Sequence, residues 1–323
     1  MGIKMNNIGD LNEIIRVLIE NDDFAIAAHV NPDTDAIGSC LALGLSLKKL
    51  GKRVSVFLEP FNEKNLIIPG QELICNTPGE FSVFIALDCA NEERLSDPFS
   101  ILKRAPITIS VDHHISHAPF TWYLYLDGSA SSTCEMVYRI VTQMLDIDTD
   151  IASAIYAGLL TDTGGFMHNC TSSGTMRVVS ELLQKGIPFT EIYKELLKRR
   201  CIVESNVLRF ALNNMVLHEN GRAAISSISF EEMDRIGAKA TDTDGVSEYM
   251  LNIRGVEVSA FLYENTKGIV KASMRSNHVN ISETAKAFGG GGHMHAAGCT
   301  IHASLAEAYE SITLAVRTAV ETI

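Results

Sequence analysis

The sequence contains no apolar run long enough to cross a membrane, no internal repeat and no low-complexity tract. Its apolar stretches fall far short of the ~20 residues that a membrane-spanning helix needs. The N-terminus, MGIKMNNIGD, also lacks the apolar core that secretory signal peptides have. We therefore predict that the protein has no membrane partner.

Paired cysteines are missing as well. The seven cysteines are scattered along the chain, are odd in number, and include no CxxC pair. This usage is typical of reduced thiols in a cytoplasmic protein, and it argues against a zinc site built from thiolates. We predict a cytoplasmic chain in which most cysteines are small buried apolar residues.

Positive charge is scarce. The chain has 27 Lys and Arg residues against 39 Asp and Glu residues, which gives a formal net charge of −12. A long polyanion would feel the field of the whole chain, whereas a short anion feels mainly the charges within a Debye length of about 10 Å. The charge therefore opposes stable binding of long nucleic acid, but it does not exclude a small anionic substrate in a local cationic pocket.

The most informative stretch of the sequence is FAIAAHVNPDTDAIGS, which begins at Phe24. Its apolar start predicts a buried strand, and a helix is predicted over residues 36–50. His29, Asp33 and Asp35 lie between the two, at the carboxyl end of a strand, where open α/β sheets bind ligands. An imidazole and two carboxylates this close together favour a bound divalent cation, because they would otherwise repel one another. The alternative is that an aspartate here only caps the helix.

Further acidic and imidazole side chains follow apolar stretches in the same half. Asp88 comes after VFIAL, Asp112-His113-His114 comes after ITISV, and Asp162 lies in TDTGGF. Each also has a simpler interpretation. Asp88 could be a turn residue, His113-His114 a surface pair, and Asp162 part of an Asx-turn. Their recurrence favours one shared crevice. Carboxylates and imidazoles without thiolates suit Mn²⁺ or Mg²⁺, with Co²⁺ or Zn²⁺ as alternatives.

The order of the predicted elements indicates an α/β fold in the N-terminal part, a mainly parallel sheet with helices on both faces. Strands are predicted over residues 24–28, 54–58, 82–87 and 107–111, and helices over 11–20, 36–50 and 133–145. Residues 131–135 resemble a capping box at the start of the last of these helices. Residues 151–160 are interpreted either as a helix or as a buried strand.

A smaller α+β domain is predicted to follow. After residue 220 the pattern changes to shorter strands, at 223–228, 256–263 and 268–274, and ends with a helix over 305–320. A helix over residues 194–214 is predicted to connect the two parts. We place the domains at residues 1–190, 191–215 (the connecting helix) and 216–323.

Five motifs resemble those of the DHH phosphoesterase superfamily. HVNPDTDAIGS, LD followed by CAN, VDHH and TDTGGF are similar to its four motifs, in order, and GGGGHMHAAG is similar to the signature of its DHH-associated second domain. The resemblance covers nearly the whole chain, and the length and two-domain layout resemble the bacterial nanoRNase and pAp phosphatase branch. It implies that residues 1–190 are catalytic and that residues 216–323 bind substrate.

The resemblance also implies two metal sites. One would be formed by His29, Asp33 and Asp88. The other would be formed by Asp35, Asp88, His113 and Asp162, with Asp88 bridging the two. The implied cofactor is two Mn²⁺ ions, with Mg²⁺ or Co²⁺ as alternatives.

Catalytic roles follow from the same resemblance. His114 would face the reacting phosphate and donate a proton, and Asp112 would orient the imidazoles. Asp88 is included among the catalytic residues because it would hold both ions. Two cations about 3.5–4 Å apart can lower the pKa of a bridging water and neutralise a phosphoryl group.

Substrate recognition is assigned to the glycine-rich segment of the second domain. Gly289, Gly290, Gly291 and Gly292 would offer backbone N–H groups to an anion, with His293 beside them. Arg275-Ser276 would add a guanidinium suited to phosphate. The alternative for the glycines is a flexible turn. His278 and His295 are weaker candidates, and we interpret His117, His168, His218 and His302 as surface or structural residues.

The resemblance implies a manganese-dependent phosphodiesterase, or exoribonuclease, and 3′(2′),5′-bisphosphate nucleotidase. It would hydrolyse RNA dimers to pentamers to mononucleotides, and pAp to AMP. The alternatives are hydrolysis of cyclic dinucleotides or of linear pApA and pGpG, and, in another class, a nucleotide-binding regulator without turnover. The expected partners are short RNAs and nucleotides, with a second copy of the chain as a candidate homodimer partner.

Overall fold

The structure, a computed structural model, describes residues 11–77, 79–95 and 98–321. The chain divides into two units, Met1–Arg199 and Arg200–Ile323. Within the described residues, no helix combines the length and the apolar character needed to cross a bilayer. The N-terminal segment on which the signal-peptide prediction rests lies outside the described residues.

The first unit is organised around a five-stranded parallel sheet with the strand order β2-β1-β3-β4-β5. The strands are β1 (Asp23–Ala27), β2 (Arg53–Phe57), β3 (Val83–Leu87), β4 (Ile107–Asp112) and β5 (Tyr123–Leu126). Phe24 of β1 is paired with Val54 on one side and with Val83 on the other. The predicted parallel sheet is confirmed.

Among its described residues this unit has seven α-helices: α1 (Leu11–Glu20), α2 (Thr34–Lys49), α3 (Phe99–Leu102), α4 (Thr133–Val141), α5 (Thr149–Asp162), α6 (Ser173–Gln184) and α7 (Phe189–Tyr193). Alternate residues of β1 belong to different apolar clusters. Phe24 and Ile26 lie in the larger one, whereas Ala25 and Ala27 lie in the smaller one. Because both faces of the sheet are covered, its central strands are mostly apolar, and β3 is apolar throughout, as parallel strands usually are.

One element of the first unit is absent from the prediction, and another settles an alternative that the sequence leaves open. The edge strand β5 was not predicted. Of its four residues only Leu124 is buried, so the strand lacks a clear apolar alternation. The segment 151–160, left open between helix and strand, is the helix α5. Its residues from Ile151 to Leu160 are buried all round, which removes the amphipathic period that distinguishes a helix.

The prediction of a single helix over residues 194–214 is wrong. A π-helical turn (Lys194–Lys198) ends first, and α8 (Ile202–Asn213) begins separately. Cys201 and Glu204 form a capping box, in which each side chain accepts the backbone N–H of the other residue. This satisfies the free N–H groups of a new helix N-terminus, so the chain restarts a helix instead of continuing one.

The second unit contains a six-stranded mixed sheet with the order β10-β11-β9-β8-β7-β6. Its strands are β6 (Val216–His218), β7 (Ala223–Ile228), β8 (Val258–Thr266), β9 (Ile269–Ser276), β10 (Gly291–His293) and β11 (Ala296–Ile301). Of the strand pairs between described residues of this sheet, only β7–β8 is parallel. The helices are α8, α9 (Phe230–Ile236), α10 (Val246–Leu251), α11 (Ile281–Ala287) and α12 (Leu305–Val320). The predicted α+β class of this part is confirmed.

All seven cysteines are free. Cys40, Cys89, Cys134 and Cys299 are buried, and Cys170 and Cys201 are exposed. The buried majority agrees with the expectation that most cysteines serve as small apolar residues.

Candidate metal centre

The first group of candidate ligands lies in the turn between β1 and α2. His29 Nδ1 donates to the Val30 carbonyl at 2.8 Å, which leaves Nε2 with its lone pair facing the carboxylates. Asp33 caps α2, because its Oδ1 accepts the Ala36 N–H at 3.0 Å. Its Oδ2 lies 3.9 Å from His29 Nε2. The geometry of Asp33 is therefore compatible with both interpretations, helix cap and candidate ligand.

Asp88 lies at the centre of the cluster, directly after β3, and its side chain is 2% exposed. Its Oδ2 is 3.6 Å from His29 Nε2, and its Oδ1 is 3.7 Å from His113 Nε2. The Thr133 hydroxyl also donates to Oδ1, at 3.0 Å. The backbone of Asp88 has φ +53°, in the left-handed region that residues other than glycine rarely adopt. Such outliers concentrate at functional sites.

Asp35, His113 and Asp162 form a second group, whose ligand atoms all lie within 4.8 Å of one another. His113 Nε2 is 3.5 Å from Asp162 Oδ2. Asp35 is 1% exposed and accepts the backbone N–H groups of Thr133 and Cys134 at 2.7 and 2.9 Å. These are the first residues of α4, so a helix N-terminus offsets part of the buried negative charge.

The two donor sets fit divalent cations. Their N···O separations of 3.5 to 3.9 Å are longer than hydrogen bonds, but they suit two donors that each lie about 2.0–2.2 Å from one ion. Burial and the charge of Asp88 raise the pKa of Asp35 well above its ordinary value. Burial, followed by the charges of Asp88 and Asp33, raises the pKa of Asp162 to about 7. A cation would offset both the burial and the repulsion.

Asp112, fully buried at the end of β4, holds two imidazoles. Its Oδ1 accepts the backbone N–H and the Nδ1–H of His114, at 3.1 and 2.8 Å, and its Oδ2 accepts the Nδ1–H of His117 at 2.6 Å. Although burial opposes ionisation, these bonds hold the pKa of Asp112 well below its usual range. The bond with Asp112 raises the pKa of His114 to about 9. This geometry suits a proton donor.

Close helix packing around Asp35 depends on glycine. A Cβ atom built on Gly158 of α5 would lie 2.6 Å from Asp35 Oδ1 and 2.3 Å from Cys134 Sγ. A Cβ atom on Gly38 of α2 would lie 2.6 Å from the Ala154 carbonyl oxygen. Because real Cβ atoms essentially never approach other atoms this closely, both glycines are required for α2, α4 and α5 to pack as they do.

The second unit contains an open cavity of about 690 Å³ beside β9 and the glycine-rich segment. Lys271, Ser273 and Arg275 line it, and their alternation along β9 places them on one face of the sheet. Residues Gly289 to Gly292 line it as well, together with Tyr263 and His302. The lysine and the arginine give the cavity a positive charge that suits an anion.

The glycine run is not an open anion nest over its whole length. The N–H groups of Gly289 and Gly290 donate to the carbonyls of Lys286 and Ala285, at 3.0 and 2.9 Å, and thereby end α11. A Cβ atom on Gly290 would lie 2.2 Å from the Gly298 carbonyl oxygen, so close strand packing also requires glycine there. The turn alternative therefore accounts for these two glycines.

Ser276 and His293, which were predicted to bind substrate with Arg275, are not among the residues that line the cavity. Ser276 lies on the opposite face of β9 from Arg275. It is buried, and its hydroxyl donates to the Val279 carbonyl at 2.5 Å. His293 is exposed on β10. The structure thus gives Ser276 a structural contact in place of the expected one.

Sequence comparisons find the same two parts. The profile of the DHH family, N-terminal domain, matches residues 23–159, and that of the DHHA1 domain matches residues 212–322. The bifunctional oligoribonuclease and PAP phosphatase NrnA of Thermus thermophilus is 31% identical over 90% of this chain and 88% of its own. The chain belongs to the DHH family. The Bacillus subtilis protein of the same name is 29% identical to this DHH chain, over 90% of it and 93% of the relative.

Two solved structures share the fold of this chain. An exopolyphosphatase-related protein from Bacteroides fragilis is similar to this DHH chain with a TM-score of 0.88 and 29% identity, over 95% of each chain. RecJ from Thermus thermophilus, solved in complex with Mn²⁺, has a TM-score of 0.60 at 14% identity, over 100% of this chain and 56% of its own. The likeness to RecJ is one of fold alone.

Sequence reasoning missed three residues around the DHH-family motifs. The Arg94 guanidinium lies 3.2 Å from His29 Nδ1. The sequence indicates Thr133 only as part of a helix start, yet its backbone N–H donates to Asp35 and its hydroxyl donates to Asp88. The sequence allows His117 a surface or a structural role, and the structure shows it buried against Asp112, although the sequence does not indicate that partner. The spacing of His117 from the DHH triplet was the one available signal, since the other contacts join residues far apart in sequence.

The remaining histidines lie outside the two donor sets. His168 is exposed, and its Nδ1 donates to the Asp162 carbonyl at 3.1 Å. His278 is paired with Glu257 at 2.8 Å. His302 lines the cavity of the second unit, which was not expected.

Proposed function

We propose that this DHH protein is a divalent-metal-dependent phosphoesterase that hydrolyses short oligoribonucleotides to mononucleotides and pAp to AMP. The observation that carries the proposal is Asp88, whose two oxygens face two separate imidazole–carboxylate groups. A carboxylate shared between two cation sites is suited to two-metal hydrolysis of phosphate esters. The names of the NrnA relatives support this substrate class.

We assign one ion to His29, Asp33 and Asp88, and the other to Asp35, Asp88, His113 and Asp162. These donors are carboxylates and imidazoles, which favours Mn²⁺, with Mg²⁺ or Co²⁺ as alternatives. When bound, the two ions would supply Lewis acidity and lower the pKa of a water that attacks phosphorus.

His114 and Asp112 carry the proton chemistry of the proposal. In pAp hydrolysis, a bond forms between the water oxygen and phosphorus, and the bond from phosphorus to the ribose oxygen breaks. The departing oxygen takes a proton, which we assign to His114. Asp112 holds the Nδ1–H of that ring at 2.8 Å, so the other nitrogen is the one available for donation.

Recognition is assigned to the second unit. The cavity lined by Lys271 and Arg275 combines two cationic side chains with glycine backbone, a combination that suits a phosphate group. The net charge of −12 provides no extended basic track for a long strand. We therefore infer that dimers to pentamers are preferred over long RNA.

A product-resolved assay tests the proposal. The purified chain with Mn²⁺ would be given pAp, ribodinucleotides to ribopentamers, linear pApA and pGpG, cyclic dinucleotides, and pyrophosphate. Mononucleotides from the short RNAs and AMP from pAp are the expected products. Asp88→Asn, which keeps the shape of the side chain but removes its charge, is the matched inactive control.

Other outcomes assign other functions. Turnover confined to cyclic or linear dinucleotides would replace the proposed substrate, and turnover of pyrophosphate alone would remove the nucleotide class. Binding of pAp with metal present but without product would identify a regulator in place of an enzyme.

A further inference from the structure

His117 is a buried histidine that the proposed chemistry does not use. Its Nδ1 lies 2.6 Å from Asp112 Oδ2, and its side chain has no solvent exposure. Its Nε2 is buried and has no hydrogen-bond partner among the residues that the structure describes. The ring stacks on Phe120, with centroids 5.6 Å apart and planes 26° apart. The backbone N–H of His117 donates to the His114 carbonyl at 3.0 Å, so the two histidines close one turn.

Packing alone does not account for an imidazole at this position. A phenyl ring would stack on Phe120 without burying an unpartnered nitrogen, which is destabilising. The feature that a phenyl ring lacks is the Nδ1–H directed at Asp112. The two oxygens of Asp112 have different partners: Oδ1 is held by His114, and Oδ2 is held by His117.

Loss of the His117 bond would act on His114 through the shared carboxylate. A buried ionised oxygen without its donor is strongly unfavourable, so the Asp112 carboxylate would rotate or take up a proton. Either change weakens the bond from Oδ1 to His114 Nδ1, which sets the tautomer and the angle of that ring.

We propose that His117 is a positioning residue that acts through Asp112 to fix the tautomer and orientation of His114. The proposal rests on the proposed function, because His114 is the proton donor there. Replacement of His117 should change turnover without changing metal content, since His117 does not reach either donor set.

The test compares two variants of the full-length chain loaded with Mn²⁺, using pAp and a ribodinucleotide as substrates. His117→Phe keeps a ring against Phe120 but removes the donor. His117→Asn removes the ring but places an amide N–H where Nδ1 stood. We expect His117→Phe to lower kcat about 10- to 100-fold with KM and bound metal unchanged, as loss of an orienting partner typically does. His117→Asn should recover most of this loss.

A double-mutant cycle with His114→Ala separates positioning from general damage. If His117 acts only through His114, His117→Phe should cause no further fall in kcat when His114 is already alanine. Multiplicative losses, or loss of bound Mn²⁺ in His117→Phe, would overturn the proposal. Equal losses in His117→Phe and His117→Asn, with both proteins folded by circular dichroism, would overturn it too.

A readout independent of turnover uses proton NMR of the metal-free chain. The wild type should show two downfield imidazole N–H protons, from His114 and His117, both bonded to Asp112. In His117→Phe the His114 proton should shift and exchange faster with water, and in His117→Asn it should remain in place. An unmoved His114 proton in His117→Phe would refute the positioning role. If the wild type hydrolyses no substrate, the proposed function fails and this NMR comparison still decides the role of His117.

Discussion

In the metal-free chain, the free energy of unfolding of the first unit should fall as the pH rises. The size of this effect can be worked out from Asp162. Burial and the charges of Asp88 and Asp33 raise its pKa from 3.8 to about 7. Between these two values the folded chain holds a proton that the unfolded chain has released. The contribution of Asp162 to stability is therefore greatest at low pH and falls as the pH rises towards the folded pKa, after which it levels off.

The magnitude follows from linkage. For one carboxyl group with these two pKa values, a change from about pH 5 to about pH 8 lowers the free energy of unfolding by roughly 2–3 kcal/mol. Asp35, whose pKa is also raised, contributes in the same direction. Mn²⁺ at a concentration 100 times its dissociation constant would add about 2.7 kcal/mol to the free energy of unfolding, which offsets the loss at the higher pH.

The assay uses the single tryptophan of the chain. Trp122 lies in the first unit, so urea unfolding followed by its fluorescence reports that unit. The metal-free wild type and Asp162→Asn would be unfolded at both pH values. Because the amide cannot ionise, the free energy of unfolding of the variant should fall by roughly 2–3 kcal/mol less than that of the wild type over the same range.

Two results would refute this reasoning. One is a metal-free wild type whose unfolding free energy is constant or rises between the two pH values. The other is an Asp162→Asn variant with the same pH dependence as the wild type. Either would mean that Asp162 titrates near its ordinary pKa, and hence that the carboxylates do not interact as the structure indicates.

The remaining predictions concern metal content, turnover and substrate length. Asp88→Asn should bind fewer than one Mn²⁺ equivalent by elemental analysis, whereas Asp35→Asn should retain about one; two equivalents in Asp88→Asn would contradict a shared ligand. His114→Ala should lower kcat about 10²–10⁴-fold with metal still bound, and loss of metal instead would make His114 a ligand. Arg275→Ala should raise KM for ribodinucleotides, and Ser276→Ala is its matched control; a rate that stays flat out to long RNA in both variants would exclude a recognition role. Gly158→Ala should weaken Mn²⁺ binding by calorimetry, because its Cβ atom would displace Asp35; unchanged affinity would mean that the helices can separate without cost.

The sheet of the first unit could be predicted because strands buried on both faces are mostly apolar, and polar residues after such strands meet at one sheet edge. This is why His29, Asp88 and His113 could be grouped from the sequence alone. The contact between Thr133 and Asp35 spans 98 residues, and no local pattern records it. The N–H groups of Gly289 and Gly290 could not be predicted to end a helix, since a glycine run gives the same signal whether it ends a helix or binds an anion.

The left-handed backbone of Asp88 has a consequence for how this position can vary. Glycine adopts φ near +53° without steric cost, whereas aspartate does so under strain and also buries a charge. A library randomised at Asp88 and screened only for folding of the metal-free chain should therefore accumulate glycine. The same library screened for hydrolysis should return aspartate alone. The residue recovered at this position would thus show whether the library had been selected for stability or for catalysis.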